Sequence, residues 1–219
     1  MAKINSVDNR SSQLTIDPGS GDSFVQLSIN ETEEFTIGVD DTDSDAFVIS
    51  QGATIGTNNT FRMSSAGERT MPLQPAFLVA NSSHDLNVTG DSTVVTVDFE
   101  SEIFDQGANF AADTFTAPVT GKYKFTIMLS PFDGDSSHAD TEFKLVTSNR
   151  TYLLQKVDFW GIAYQTDGKL ATCNDVLVDM DSSDTAYATI TISGGTKTVD
   201  IWGSGTSQLR TGISGVLCC

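Results

Sequence analysis

The sequence predicts an all-β protein: a small β-rich N-terminal part, residues 1–74, and a two-sheet sandwich or jelly roll of about ten strands, residues 75–219. Three observations carry that prediction. Short apolar runs alternate with polar residues, the period of strands that bury one face. No window repeats apolar residues at i, i+3, i+4 and i+7 between capping residues. Clusters of Gly, Asn, Asp and Ser break the runs every ~8–15 residues, the spacing of a sandwich rather than of alternating strands and helices.

The first strands are short and joined by polar turns: "SFVQLSI" (Ser23–Ile29), "EFTIGV" (Glu34–Val39), "AFVIS" (Ala46–Ser50) and "TFRMS" (Thr60–Ser64). The middle two flank "DDTDSD" (Asp40–Asp45) and read as a hairpin. Few large apolar residues per strand leave little for a core, so this sheet is expected to gain stability by pairing with copies of itself or with a host surface. "SSAGERTMPLQP" (Ser64–Pro75) reads as the linker onward.

Beyond Pro75 the strands lengthen: 76–80, 92–99, 109–117, 121–130, 141–147, 151–164, 173–180, 186–193, 196–204 and 211–219. The stretch "TFTAPVTGKYKF" (Thr114–Phe125) shows the logic. Pro118 has no N–H for a ladder and ends one strand. "PVTG" turns, with Gly121 free to take positive φ. Tyr123, Phe125 and Ile127 then alternate onto one face, where Phe110 and Phe115 can meet them from the other sheet.

With 29 acidic against 12 basic residues the net charge is −17. Phosphate contacts need Lys and Arg, so the balance argues against nucleic acid and anionic membranes as partners. A solvated, self-repelling surface is the simplest reading of the excess. The start "MAKINSVDNRSS" lacks the apolar run of a signal peptide, and no stretch reaches the ~18 apolar residues of a membrane span. Synthesis in a reducing cytoplasm is expected. Three cysteines, two adjacent at Cys218 and Cys219, make no disulfide framework, and Cys173 reads as a small buried apolar residue.

No catalytic residue and no cofactor emerges. His84 and His138 fall in polar stretches that read as loops with solvated imidazoles. "SGGTKT" (Ser193–Thr198) reads as a hairpin turn, not a phosphate loop. Among 29 carboxylates, proximity cannot select an acid–base pair, so no enzyme is expected. Calcium is the one ion worth weighing. Asp41, Asp43 and Asp45 match the first half of a calcium loop, but Ala46 stands where Gly is needed and Gly52 where the bidentate Glu belongs. A polar hairpin tip is the simpler reading. A second acidic loop, "FDGDSSHAD" (Phe132–Asp140), offers Asp133, Asp135 and Asp140. Trp160 and Trp202 sit in strand-like runs and read as packing residues.

"FDQGANF" (Phe104–Phe110), "TFTAPVTGKYKF", "AYATITISGGTKTVDIWGS" (Ala186–Ser204) and "SGVLCC" (Ser214–Cys219) follow in an order that resembles the globular domain of the complement component 1 q subcomponent family, among the tumour-necrosis-factor-like jelly rolls. The resemblance covers residues 75–219. It implies a ten-stranded jelly roll assembled as a homotrimer, and some heads of that family resemble the second acidic loop in binding calcium. Its residues place Phe104, Phe110, Phe115, Pro118, Gly121, Tyr123 and Phe125 in the structural core. The family's closing strand usually ends in an apolar or aromatic residue, whereas this one ends in Cys218 and Cys219.

The preceding "EFTIGVDDTDSDAFVIS…FRMSSAGERTMPLQPAFLV" resembles the shaft-to-head junction of tailed-bacteriophage virion and fibre proteins. No Gly-X-Y stem is present, which fits a viral or bacterial member. The expectation is a virion structural protein, either a capsid decoration protein, a head fibre or a tail fibre. It would be held to capsid or tail proteins through residues 1–74. The alternative is a host-recognition module that binds a cell-surface glycan or protein receptor.

Overall fold

The structure, a computed structural model, describes residues 15–164, 168–205 and 207–219. The chain divides into two compact units, one ending at Leu73 and the other running from Gln74 to Cys219.

The first unit is an antiparallel meander of β1 (Ser23–Ile29), β2 (Thr32–Asp40), β3 (Ala46–Gln51), β4 (Asn59–Met63) and β5 (Arg69–Thr70), paired in that order. The β2–β3 hairpin closes through a 3₁₀ turn over Asp41–Asp43. Asp40 caps that turn, accepting from the backbone N–H groups of Thr42 and Asp43 at 3.0 and 3.2 Å. Pairing register assigns every side chain to a face. One face carries the rows Val25–Ile37–Ile49–Phe61, Val39–Phe47–Met63 and Leu27–Phe35, all open or half-open to solvent. The other carries Thr36, Asp40, Ala46, Val48 and Ser50, all buried. The loop between β3 and β4 seals that side: Thr36 Oγ1 donates to Gly52 O at 2.8 Å, Gly56 N donates to Ser50 Oγ at 3.0 Å, and Ile55 packs on Ala46 and Val48. The hidden face thus combines Ala46, Val48 and Ile55 with Thr36, Asp40 and Ser50, while the open face carries the larger apolar side chains with Glu33 and Arg69 at its ends.

The second unit contains β6 (Ala76–Ala80), β7 (Asp85–Thr89), β8 (Val94–Thr96), β9 (Ser101–Gln106), β10 (Phe110–Ala111), β11 (Thr114–Thr116), β12 (Gly121–Leu129), β13 (Pro131–Phe132), β14 (Asp140–Thr147), β15 (Thr151–Asp158), the short helix α1 (Phe159–Ala163), β16 (Thr172–Met180), β17 (Thr185–Ile192), β18 (Val199–Ile201) and β19 (Gly212–Leu217). One sheet runs β16-β12-β19-β6-β9. The second runs β10-β11-β17-β14-β15, with β8 on β17. A third small sheet is β13-β18-β7. All pairings are antiparallel, and the chain passes repeatedly from one main sheet to the other, which makes the unit a jelly-roll sandwich. Phe77, Tyr123, Phe125 and Ile127 from the first sheet meet Phe115, Phe143, Leu145 and Ile190 from the second in one continuous core. Fully burying such a side chain contributes about 1.5–3 kcal/mol. The Tyr123 hydroxyl is not stranded there, because it donates to Val119 O at 2.7 Å.

Several expectations change. Residues 109–117 form not one strand but the β10–β11 hairpin, turned by Ala112 and Asp113 at φ 47° and 60°. The run 151–164 stops as a strand at Asp158, whose side chain caps α1 by accepting from Gly161 N at 3.1 Å. Phe104 is not in the core. It pairs with Leu78 on the outward face of the first sheet and is 47% exposed, because Phe77 and Val79 take the inward positions. Gly121 does not need positive φ. A Cβ there would lie 2.6 Å from Leu217 Cδ1 and 2.7 Å from Cys219 O, so the glycine serves the close approach of the C-terminal strand. Pro118 sits exposed in the bend between β11 and β12 rather than in the core. Cys173 is exposed on the outward face of β16, not buried. Ser193–Thr198 joins strands of two different sheets instead of closing a hairpin.

Candidate functional site

The two acidic loops singled out from sequence do not gather their carboxylates. In the hairpin tip, Asp43 forms a two-point pair with Arg62, at 2.5 Å to Nε and 2.7 Å to Nη2. That hydrogen bonding holds the Asp43 carboxyl below its usual range, while Asp41 receives no side-chain partner from Asp43 or Asp45. In the second loop Asp135 accepts from Ser137 N at 2.8 Å and lies 3.1 Å from His138 Nδ1, and Asp133 sits at φ 60° beside it. These bonds hold the Asp135 carboxyl low as well, the Ser137 hydroxyl contributing most. Both loops are built as self-satisfied turns.

His138 is not solvated. It is fully buried, with Nδ1 accepting from Asp135 N at 3.0 Å and Nε2 facing Thr196 O at 3.0 Å. It ties the loop before β14 to the loop before β18. His84 is exposed, and its ring packs against Phe132 and Trp202 at 5.2 and 5.1 Å.

Among the described residues, the carboxylates that do converge are Asp85, Asp98 and Glu100, with one oxygen from each within 4.8 Å of the others. Strand alternation places them. Val97 and Phe99 point into the core, so Asp98 and Glu100 point away from it, toward Asp85 at the start of β7. Asp113, at the tip of the β10–β11 hairpin, adds a fourth carboxylate and accepts from Phe99 N at 2.8 Å. Asp98, Glu100 and Asp113 line a hollow of about 320 Å³ floored by Val79, Phe99 and Phe110.

The electrostatics of this hollow are uneven. Burial, then the charge of Asp98, pushes Asp85 up to about 6, against a 2.7 Å hydrogen bond from Asn81. Burial also raises Asp98, reinforced by Asp113 and Glu100. At Glu100 burial opposes ionisation, but Ser82 N and Oγ donate at 2.8 and 2.9 Å and the carboxyl lies below its usual range. Glu100 thus stays charged while Asp85 and Asp98 resist a second and third charge. Oxygen donors of this kind suit hard divalent cations or a shared proton. The sequence held one signal for the group: "VDFESE" (Val97–Glu102) alternates, which puts Asp98, Glu100 and Glu102 on one side. Nothing local marked Asp85 or Asp113.

A second concave region lies at the opposite chemical extreme. Trp202, Phe132 and His84 form an aromatic cluster, and the Arg210 guanidinium sits 4.3 Å above the Trp202 ring. Arg210 also borders two adjoining hollows of about 290 and 150 Å³, which share Ser130 and Ala171.

The fold and these sites define the chain as a two-unit all-β protein with a jelly-roll domain. No protein-family model and no curated protein matches it. Among solved structures it is similar to murine APRIL crystallised at pH 8.5, with 14% identity, a TM-score of 0.43, and coverage of 66% of this chain and 98% of that one. It is also similar to the globular domain of zebrafish complement 1qA protein, with 17% identity, a TM-score of 0.39, and coverage of 67% of this chain and 98% of that one.

Proposed function

We propose that the chain is a non-enzymatic structural protein of a tailed-phage virion, a capsid decoration protein, head fibre or tail fibre. It is made in the host cytoplasm and assembled as a homotrimer that displays the jelly-roll head. Residues 1–74 attach it to capsid or tail proteins. The observation that carries the assembly reading is the outward face of the β16-β12-β19-β6-β9 sheet. Phe104 and Leu78 pair on it, Val216 and Leu177 flank Lys124 in the next row, and Phe104, Val216 and Leu177 are 41–60% exposed. Apolar residues on four of its five strands, beside the Lys124–Asp175 pair, suit a subunit contact better than water. The virion setting rests on the sequence resemblance of the junction region. No helix among the described residues is long and apolar enough to cross a membrane.

Light scattering on the purified chain tests the assembly, with about three times 23.4 kDa expected and a monomer counting against it. Retention of the chain on purified particles tests the attachment.

A second reading, recognition of a host glycan or surface protein, draws on the Trp202–Arg210 cluster beside two open hollows. An aromatic face next to a cation is a common arrangement for holding a sugar or an acidic group. Binding of the full chain to host cells, lost in Trp202→Ala with the mass unchanged, would favour it.

A further inference from the structure

We infer that Arg210, held over Trp202 beside two adjoining hollows, anchors the carboxylate of an acidic sugar. The inference rests on the recognition reading of the same cluster and names the ligand it holds. It does not depend on the virion setting.

The cation is built into place. Trp202 packs against Phe132 and His84, with ring centroids 5.0 and 5.1 Å away, and its backbone N–H donates to Ser130 O at 2.9 Å. Arg210 is fixed at its own backbone, where its carbonyl accepts from Ser130 Oγ at 3.1 Å, and its guanidinium lies 4.3 Å over the Trp202 ring. Among the described residues Arg210 forms no ion pair, and its one side-chain hydrogen bond runs from Nη2 to Gln208 Oε1 at 3.3 Å. A guanidinium offers five N–H donors in a planar fork that meets a carboxylate in two-point contact. Stacking on an aromatic ring fixes that fork before the ligand arrives. The ring therefore holds the cation, and Arg210 makes the contact.

The surroundings select the ligand. The chain has 29 acidic and 12 basic residues, yet no Asp or Glu lines either hollow, while Lys169 borders the smaller and Arg210 borders both. The local charge is thus opposite to that of the whole molecule, which points to an anion. The net charge of −17 then limits how much negative charge that anion can bring. A polyanion or a run of acidic side chains is repelled by the rest of the chain, a single carboxylate on an otherwise neutral unit far less. The walls of the larger hollow mix apolar Met128 and Leu209 with the hydroxyl of Ser130 and the amide of Gln208. A sugar ring presents the matching mixture of C–H faces and hydroxyls. At about 290 Å³ this hollow lies at the small end of the ~300–1,000 Å³ range of ligand sites, which suits one ring better than an extended peptide. Arg210, Lys169 and Trp202 come from loops next to the ends of β19, β16 and β18, not from a sheet face.

The test incorporates 5-fluorotryptophan at Trp160 and Trp202, the two tryptophans of the full chain, and follows both fluorine NMR signals. The Trp202 signal is assigned by its loss in Trp202→Phe. Glucuronate is titrated, with glucose as the match that carries a hydroxymethyl group in place of the carboxylate. The expected result is a saturable shift of the Trp202 signal with the Trp160 signal unmoved, and a response to glucose roughly tenfold weaker. Arg210→Gln should lower glucuronate affinity by roughly tenfold or more. If that variant changes the mass by light scattering or the Trp160 signal, Lys169→Gln takes its place, with a loss of roughly threefold expected. No saturable shift, an equal response to glucose, or an unchanged affinity in the variant overturns the inference. So does a response to inorganic sulfate or to triglutamate as strong as that to glucuronate, which would assign a bare anion or an acidic peptide instead. Glucuronate binding without host-cell binding leaves this inference and removes the recognition reading. Host-cell binding that is lost in Trp202→Ala, without a glucuronate response, does the reverse.

Discussion

Phe115 stacks on Phe77 across the two main sheets, with ring centroids 5.0 Å apart and planes within 16°. Phe125 closes the same cluster edge-on, 5.6 Å from Phe115 and 6.1 Å from Phe77. Three aromatic rings from β11, β6 and β12 thus pin the sandwich together at one point.

Removing one ring should loosen it. Phe125 is fully buried, and Phe→Ala in a well-packed core costs about 3–5 kcal/mol. Its neighbour Lys124 points outward and pairs with Asp175 at 3.0 Å, both side chains about half exposed. Surface pairs of this kind contribute little to the protomer, so Lys124→Ala should change the part of the stability that does not depend on protein concentration by less than about 0.5 kcal/mol. Denaturant unfolding of both variants at two protein concentrations separates the core loss from any effect on assembly. Equal losses at the two positions would contradict the register.

Gly121→Ala should also destabilise the head, for a different reason. The added Cβ meets Leu217 and the backbone of Cys219 closer than van der Waals contact allows. Backbone cannot swing aside like a flexible side chain, and overpacking typically costs about 1–3 kcal/mol. Lys122 N and O hold that terminus through hydrogen bonds to Cys219 O and from Cys218 N, both 2.7 Å, so hydrogen exchange at Lys122 and Cys218 should accelerate. Unchanged exchange would mean the terminus relaxes without strain.

The alternating runs made the main strands legible, because a face buried against another sheet must be apolar at every second position. What alternation could not reveal came from local geometry. Ala112–Asp113 turns with positive φ at both residues, where Asn-Gly is the usual signal, so the β10–β11 hairpin looked like one continuous strand. Phe159 and Ala163 are buried from a helix of five residues, too short to show a helical period. Phe104 is as apolar as a core residue and differs only in which way β9 points it. The acidic hollow was hidden for another reason. Asp85, Asp98 and Asp113 come from three separate stretches, and only the folding of β7 and the β10–β11 hairpin beside the stretch after β8 brings them together.

Deleting residues 1–73 should leave a folded jelly roll. The continuous core, from Phe77 to Ile213, lies in the second unit, and among the described residues the first keeps Ala46, Val48 and Ile55 as its buried cluster. Circular dichroism should show a cooperative β-sheet melt for residues 74–219. A broad, non-cooperative transition would mean the jelly roll depends on the first unit.

The acidic hollow should make stability rise as the solution turns mildly acidic. Asp85 has a folded-state pKa of about 6, above the ~3.9 of an unfolded Asp, and Asp98 is raised in the same direction. The folded protein therefore binds protons more tightly than the unfolded chain, and stability is gained as pH falls from about 7 through 6 toward 4. Glu100 works the other way. Its lowered carboxyl contributes stability above the unfolded value of about 4.3 and loses it only below that, so it does not cancel the gain between pH 7 and 5. Both raised groups keep some solvent contact, which screens the repulsion and reduces the effect. The melting temperature should accordingly rise by a few degrees between pH 7.5 and 5. Asp98→Asn removes one charge from beside Asp85, Glu100 and Asp113 without changing side-chain size. It should raise the melting temperature at pH 7.5, bring Asp85 back toward its ordinary value, and flatten the pH dependence. If Asp98→Asn melts lower than the parent at pH 7.5, repulsion among these carboxylates is not what the folded state is bearing.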